Sequence, residues 1–530
     1  MIITPLGHTE FLVDIPNNTG ENIRILIDTW LSDYAIGDLM ERTVKVWLDP
    51  EKISTIDAIY ISHAHCDHFD PYTLVEIYAH ASPLLIIPFT LRYLEGLIHE
   101  YLPQAEIHWL GNREIFSFNG IEIAGYMWSN PEITNEDDVM MVAISNDYEL
   151  LFAEIDTIPD PYEEEVQKWL YKVFTRKKYM TACYLASRNC LEGQIPYYDL
   201  PVSKRKAFRE KYIADQKEDI FASYEKYEYE EYAHFPNLFA LSGFVRGFIG
   251  QGIRYPREIS STLSELVLFP LDEMVSIESD YTKNTWYEFS QKALLPGRQY
   301  KIENGTIEQG RKECPIGEIL KDADVLSGEN PNKERIYASG PLFPREILDS
   351  EVNAGKEQIL SILNQRFLPY WSASPVASLR DVLIRNDGIY RIEFQVFVSP
   401  PEKSEWERVL YQNSEQTHPS PPLSGRGYEQ IIFEYSTARS GFIEVAYEEN
   451  MKIDEDYWFL DILDLLDGRQ EMYSSFWHRL DPNRAYRLWT CLGATWMNHD
   501  LNTRKYRRHF ERARKWETAN KFVGEVLKNL

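Results

Sequence analysis

The segment from Ile56 to Asp70, IDAIYISHAHCDHFD, limits what this chain can fold into more than any other stretch. Ile56 to Ser62 is a short apolar run rich in β-branched residues, the pattern of a strand buried on at least one face. It gives way at once to His63, His65, Asp67 and His68. Three imidazoles and a carboxylate on the turn after a buried strand are what a metal site requires, and together they suit zinc, iron or manganese. Side chains alternate along extended backbone, so His63 and His65 project the same way. Asp67 and His68 then point at a neighbouring position. One pair of ligands thus serves each of two adjacent metals, and two metals about 3.5–4 Å apart can hold a hydroxide between them. A polar loop with histidines by accident is the competing reading, and 12 histidines in 530 residues make it a poor one.

The surroundings support a sheet. Short apolar runs recur at 23–28, 84–88, 121–127, 139–145 and 149–156, and their length and β-branched content favour strands. Segments 72–80 and 91–101 carry helical spacing between them. An α/β layer architecture follows, with helices packed on sheet faces. From about 160 to 235 the pattern turns helical and acidic, which reads as a helical insertion with a solvated face. The stretch 327–344, SGENPNKERIYASGPLFP, concentrates Gly, Pro and Asn and marks a boundary. The expected organisation is a domain over 1–330, a linker over 331–344 and a separate α+β domain over 345–530 with a helical end.

Composition excludes several classes. Apolar residues make up 44% and aromatics 14%, enough for real cores, so global disorder is excluded. No apolar run approaches the roughly 18 residues of a membrane span, and the opening MIITPLGHTEF does not look like a signal peptide. A net charge of −28 repels nucleic acid over most of the surface. Seven basic residues between Arg504 and Lys515 are the exception, read as helix cations that dock on an acidic body. Five scattered cysteines without a C-x-x-C pair argue against a disulfide scaffold and an all-thiolate zinc site. The expectation is a soluble, cytoplasmic, multidomain protein with a small-molecule substrate and no nucleic-acid partner; the oligomeric state stays open.

Residues 63–68 resemble the H-x-H-x-D-H motif of the metallo-β-lactamase superfamily. Leu6-Gly7-His8-Thr9-Glu10-Phe11-Leu12 is similar to the G-H-S-x-F-L opening of the branch with L-ascorbate-6-phosphate lactonase and N-acyl-phosphatidylethanolamine phospholipase D, and Asp28-Thr29-Trp30-Leu31 to its D-P-W-L. The non-Rieske part of CMP-N-acetylneuraminate hydroxylase is similar too, in the order of Asn130-Pro131-Glu132, of the strand ending Glu154-Ile155-Asp156-Thr157 and of 239–244. The resemblance covers roughly 1–260 and implies a metallo-β-lactamase-like αββα sandwich. It implies His63, His65, Asp67 and His68 as ligands, Asp156 as the bridging carboxylate, and Asp28 as the residue that orients the histidine loop. Asp28 also reads as a strand-end cap. His8 is either a residue near the substrate or a buried structural histidine. Asn130 stands where the superfamily places a fourth histidine, and an amide oxygen is a poorer zinc ligand than imidazole. His234 is the one candidate for a final histidine at a plausible distance, but it reads better as a helix-end residue before Phe235-Pro236. Glu154, two residues before Asp156, is expected on the same strand face, so that two carboxylates point at the site.

The expected function is a hydrolase that uses a metal-bound hydroxide on a phosphoester, lactone or amide. One or two divalent transition ions serve it, zinc first, then iron or manganese. Asp67 orients the hydroxide and His8 contacts the substrate. Two other classes stay open: a hydroxylase-like oxidative enzyme with an external electron donor, and a degenerate member that uses the fold for binding.

Overall fold

The computed structural model describes residues 1–127 (apart from 33, 36–39 and 43), 139–156, 166, 168–169, 173, 181–187, 243–249, 253–254, 290–320, 347–373, 383–384, 387–397, 428–448, 451–469, 488 and 499–528. Asn130, His234, the expected linker 331–344 and nearly all of the helical insertion at 160–235 lie outside these residues. The chain divides into two compact units. The first holds Met1–Glu192, Glu210–Tyr337 and Tyr506–Leu530; the second holds Gly193–Arg209 and Ala338–Lys505. The last segment therefore groups with the first unit and not with the C-terminal domain expected over 345–530. Its physical reason is burial: Tyr506, Phe510 and Ala513 share one apolar cluster with Phe69, Tyr72 and Leu97.

Two mixed sheets carry the first unit. One has eight strands in the order Thr306–Gln309, Tyr300–Glu303, Ile2–Gly7, Glu10–Pro16, Asn22–Ile27, Ala58–Tyr60, Leu84–Pro88, Ile107–Leu110. The other has seven, in the order Ile115–Phe118, Ile121–Tyr126, Met141–Ser145, Glu149–Ala153, Thr181–Ser187, Phe244–Ile249, Ser290–Ala293. Strand alternation sorts the side chains. Ile25, Ile27, Tyr60 and Ile86 of the first sheet meet Ile123, Val142, Ile144, Leu151 and Leu185 of the second in one shared core. Leu26, Ile59, Leu85 and Ile87 face the other way and pack with Leu74 and Ile77 of the helix Pro71–Tyr78 and with Leu97 and Ile98 of the helix Glu95–Tyr101. Behind the second sheet, Ala143, Phe152 and Tyr184 pack on Val166, Trp169 and Val173. The helices Pro71–Tyr78 and Glu95–Tyr101 and the two sheets lie in successive layers, and these strands read as continuous apolar runs because both faces are buried.

The strands expected at 23–28, 84–88, 121–127, 139–145 and 149–156 form as Asn22–Ile27, Leu84–Pro88, Ile121–Tyr126, Met141–Ser145 and Glu149–Ala153. The run 56–62 contributes the shorter strand Ala58–Tyr60 and then turns into the histidine loop. That strand lies parallel to both neighbours, Asn22–Ile27 and Leu84–Pro88. Its carboxyl end therefore opens beside the end of Asn22–Ile27, where Asp28 sits.

The second unit contains a four-stranded sheet in the order Ile443–Val445, Tyr428–Ser436, Ile389–Phe397, Glu455–Trp458. Phe459 and Ile462 of the helix Phe459–Leu466 share its core with Ile359, Leu363 and Phe367. The buried Glu455 carboxylate accepts from the hydroxyls of Tyr390 and Tyr457 and from the Leu488 amide at 3.0 Å.

Candidate metal centre

The histidine loop is built from both ends. At its start Asp28, in the left-handed region at φ 54°, accepts from the Ser62 amide at 2.8 Å and from the Ser62 hydroxyl at 2.9 Å. At its end Asp70 caps the helix Pro71–Tyr78, accepting from the amides of Tyr72 and Thr73, and Pro71 fits the first helical position. Between them the amides of His68 and Phe69 both bond the His65 carbonyl, at 3.0 and 2.7 Å. Thr29 holds the His68 carbonyl with its amide at 2.8 Å and its hydroxyl at 3.0 Å. The sequence Ser-His-Ala-His-Cys-Asp-His-Phe-Asp-Pro thus closes a tight loop whose side chains point off the sheet end.

Four side chains from three chain segments converge there. His8, Asp67, His68 and Asp156 each offer an atom within 4.8 Å of the others. His68 Nε2 lies 2.9 Å from Asp156 Oδ2 and 3.9 Å from Asp67 Oδ2, and His8 Nε2 lies 3.3 Å from Asp67 Oδ2. Ligands about 2.1 Å from a tetrahedral ion stand about 3.4 Å apart, so these separations bracket what such an ion needs. Asp67 Oδ1 and His8 Nδ1 are buried without a hydrogen bond. Polar atoms so placed cost free energy unless something ligates them. The residues therefore fit a divalent ion.

His63 and His65 stand beside this group. His63 Nε2 and His65 Nδ1 are 2.9 Å apart, and the His63 ring lies 4.0 Å from that of His68, centroid to centroid. Two nitrogen-bearing positions thus lie side by side, one of His63 and His65 and one of His8, Asp67, His68 and Asp156.

Asp28 governs which nitrogens are free. Its Oδ2 lies 2.8 Å from His68 Nδ1, which places that ring's proton on Nδ1 and leaves Nε2 as the ligating atom. The same oxygen accepts a hydrogen bond from the Ser62 hydroxyl, so Ser62 Oγ accepts from His63 Nδ1 at 2.9 Å, and His63 Nε2 is the unprotonated nitrogen that meets His65 Nδ1 at 2.9 Å. One carboxylate sets two tautomers, the second through Ser62. Neither Ser62 nor Thr9, whose hydroxyl lies 3.2 Å from His68 Nδ1, carries a signal in the sequence beyond adjacency to the motif.

His8 arrives on a hairpin. Ile2–Gly7 pairs antiparallel with Glu10–Pro16, and the turn holds Gly7 at φ 125° and His8 at φ 48°. Arg42, fully buried, supports this turn: it donates to the carbonyls of Leu6 and Trp30 and to Glu10 Oε2 at 2.7 Å. Burial nonetheless outweighs Arg42 and pushes the Glu10 carboxyl up to about 7. Nothing in the sequence marked Arg42.

Glu154 does not join the cluster. Its carboxylate accepts from the Tyr184 hydroxyl and, at 2.9 Å, from the Ser187 amide, across the neighbouring strand. The expectation that Glu154 and Asp156 share a face assumed continued strand. The strand ends at Ala153, and Ile155 turns the chain at φ 59°, a conformation that a β-branched residue adopts only under constraint. That turn brings Asp156 to His68.

The charges interlock. Burial alone would lower His68, but the carboxylates of Asp156, Asp28 and Asp67 raise it well above the ordinary imidazole range. Burial likewise opposes His8, which Asp67, Glu10 and Asp156 raise. Against their own burial, Asp67 is held well below the usual carboxylate range by His68, His8 and His65, and Asp156 is lowered by His68 and His8.

No family model and no curated protein matches the chain. Solved structures overlap it in part. CmlA, a diiron β-hydroxylase from Streptomyces venezuelae, matches at 10% identity and TM-score 0.30 over 55% of this chain, which spans about half (52%) of the CmlA chain. The metallo-β-lactamase-fold protein YhfI from Bacillus subtilis matches at 8% identity and TM-score 0.29 over 58% of this chain and 98% of its own. A diphosphatase of the PhnP family matches at 16% identity and TM-score 0.21 over 34% of this chain and 61% of its own.

Proposed function

We propose that the first unit is a metallo-β-lactamase-like domain and that the protein is a metal-dependent hydrolase acting on a phosphoester, lactone or amide. The observation that carries this reading is the convergence of His8, Asp67, His68 and Asp156 around buried, unbonded polar atoms, next to the His63–His65 pair. His8, His68, Asp67 and Asp156 would hold one divalent ion, zinc first, and His63 and His65 would contribute to a second. A bound ion of this kind supplies Lewis acidity and lowers the pKa of water. The chain's own residues do the rest. Asp28 keeps the proton of His68 on Nδ1 and, through Ser62, that of His63 on Nδ1, so Nε2 is the ligating atom of each ring. Asp67 Oδ1, without a hydrogen bond, is the acceptor available to orient an attacking water by its proton. Asp156, with a side chain 23% exposed, marks the side from which substrate enters.

The set of two imidazoles and two carboxylates also suits non-haem iron, and this favours an oxidative hydroxylase with an external electron donor as the second reading. Elemental analysis of purified full-length protein separates the two. Zinc or manganese at about one equivalent or more, with chelator-sensitive cleavage of a generic phosphodiester or lactone, supports hydrolysis. Iron without cleavage supports oxidation. Protein that neither carries metal nor binds added zinc would show the hydrolase reading to be wrong.

A further inference from the structure

Residue 64 lies between the first two histidines of the loop, and its carbonyl accepts a hydrogen bond from the Tyr506 hydroxyl, 442 residues away in sequence. Both residues belong to the first compact unit. The phenol is fully buried, and its ring meets Phe69 edge to face at 4.8 Å. One turn later Phe510 stacks on Tyr101 at 5.2 Å and stands edge-on to Phe69 at 6.2 Å. Arg507 clasps the Glu100 carboxylate at 2.7 and 2.8 Å, and Arg514 donates to the Tyr101 carbonyl. The seat is thus fixed on both sides of the aromatic contact, and the basic helix spends two of its cations on this unit's own surface and backbone.

We propose that Tyr506 is a positioning residue for the metal centre: its hydroxyl fixes the peptide plane between His63 and His65 and thereby aims both rings. The loop's other fastenings act elsewhere. Asp28 grips Ser62 before His63, the His65 carbonyl takes the amides of His68 and Phe69, and Thr29 grips the His68 carbonyl. The Ala64–His65 peptide carries the donor from Tyr506 at its carbonyl. Rotation of that peptide swings the Cα–Cβ directions of His63 and His65 apart, and ligand sets lose affinity when displaced by about 1 Å. The inference rests on the metal reading above and extends it to a residue outside the motif.

The test uses cobalt(II) as the probe on full-length protein. Tyr506→Phe keeps the ring packing and removes only the hydroxyl. Tyr78→Phe is the control, since Tyr78 is also buried in the same apolar cluster and donates to a backbone carbonyl, that of Pro83, at 2.8 Å. The expected result is that Tyr506→Phe weakens cobalt binding by about tenfold and changes the visible spectrum of the bound ion, while Tyr78→Phe lowers thermal stability and leaves both unchanged. Wild-type cobalt affinity and spectrum in Tyr506→Phe overturn the inference, as does an equal weakening in Tyr78→Phe. If Tyr506→Phe does not fold, Tyr506→Met, which also removes the hydroxyl and keeps an apolar side chain in the seat, replaces it, and unaltered cobalt binding there overturns the inference equally. Failure of the wild-type protein to take up cobalt removes the metal reading itself, and this inference with it.

Discussion

Replacing Asp28 by Asn should cost the centre most of its metal affinity while changing the shape of the site least. The amide can keep its oxygen on the Ser62 amide, now 2.8 Å from Oδ1. Its NH2 then occupies the place of Oδ2, where it faces two donors, His68 Nδ1 at 2.8 Å and the Ser62 hydroxyl at 2.9 Å. His68 relieves the clash by moving its proton to Nε2, the atom that must ligate. Ser62 turns its hydroxyl away, and His63 loses the acceptor at its Nδ1. A hydrogen bond to a charged group is worth about 1.5–3 kcal/mol. At about 1.4 kcal/mol per factor of ten, the loss at His68 alone predicts about 10- to 150-fold weaker binding. Ser62→Ala removes only the arm to His63 and should cost about 2- to 13-fold, from a neutral hydrogen bond of about 0.5–1.5 kcal/mol. Affinity is read by competition between protein and a coloured chelator for zinc, with thermal melts of the metal-free proteins alongside. An Asp28→Asn protein that folds and binds zinc within about twofold of wild type would refute the tautomer argument. So would Ser62→Ala losing more affinity than Asp28→Asn.

Changing His63 and His65 together to Ala should remove the ion they share, and elemental analysis showing full metal content in that double variant contradicts the assignment. Metal uptake should release protons and tighten as pH rises through the raised values of His8 and His68, measurable by zinc titration in weakly buffered solution. In the metal-free protein the sign reverses. The His8 and His68 contributions are complete below their unfolded value of 6.5 and fade as pH climbs through the raised folded values, and Glu10, pushed up to about 7, acts in the same direction. Those of Asp67 and Asp156 are present above 3.8 and fade on acidification through their lowered values. The metal-free melting temperature should therefore fall as pH rises above 6.5, and a rise there counts against the cluster's charge arrangement. Arg42→Met should destabilise the fold by about 3–5 kcal/mol by stranding the buried Glu10 carboxylate, and adding Glu10→Met should restore part of it, as seen by denaturant unfolding. Removing residues 506–530 should leave protein that aggregates on purification, since it bares the apolar seat around Phe69 and Tyr101; a soluble monomer with normal zinc content disproves that packing.

Local patterns made part of this structure legible. Ile25 to Ile27 and Leu85 to Ile87 are apolar at every position because alternate residues serve different cores, and such runs declare themselves in the sequence. The histidine loop was visible because His63, His65, Asp67 and His68 fall within six positions. What escaped depends on single backbone turns or on distant chain. His8 stands beside Asp67 because Gly7 and His8 hold positive φ at a hairpin end, and the sequence left its role undecided. Glu154 was misplaced because Ile155 breaks the two-residue alternation, and no residue preference foretells a β-branched side chain at φ 59°. Arg42 and Tyr506 reach the site through long-range packing, which leaves no trace near the motif.

The bond between Tyr506 and the carbonyl of residue 64 also sets a schedule. The two partners are separated by 442 residues of synthesis. At about 5–20 residues per second, a ribosome delivers the second roughly 20–90 s after the first. Throughout that interval the nascent sheet can pair and the motif can leave the exit tunnel, yet Phe69 and Tyr101 stand without their covering helix. A long pause with an uncovered aromatic seat is a window for chaperones, and for capture of the wrong partner. Loops closed so late in sequence also fold slowly, because the chain entropy lost in joining them is large. Completion of the centre thus waits on a residue made long after the ligands His63 and His65.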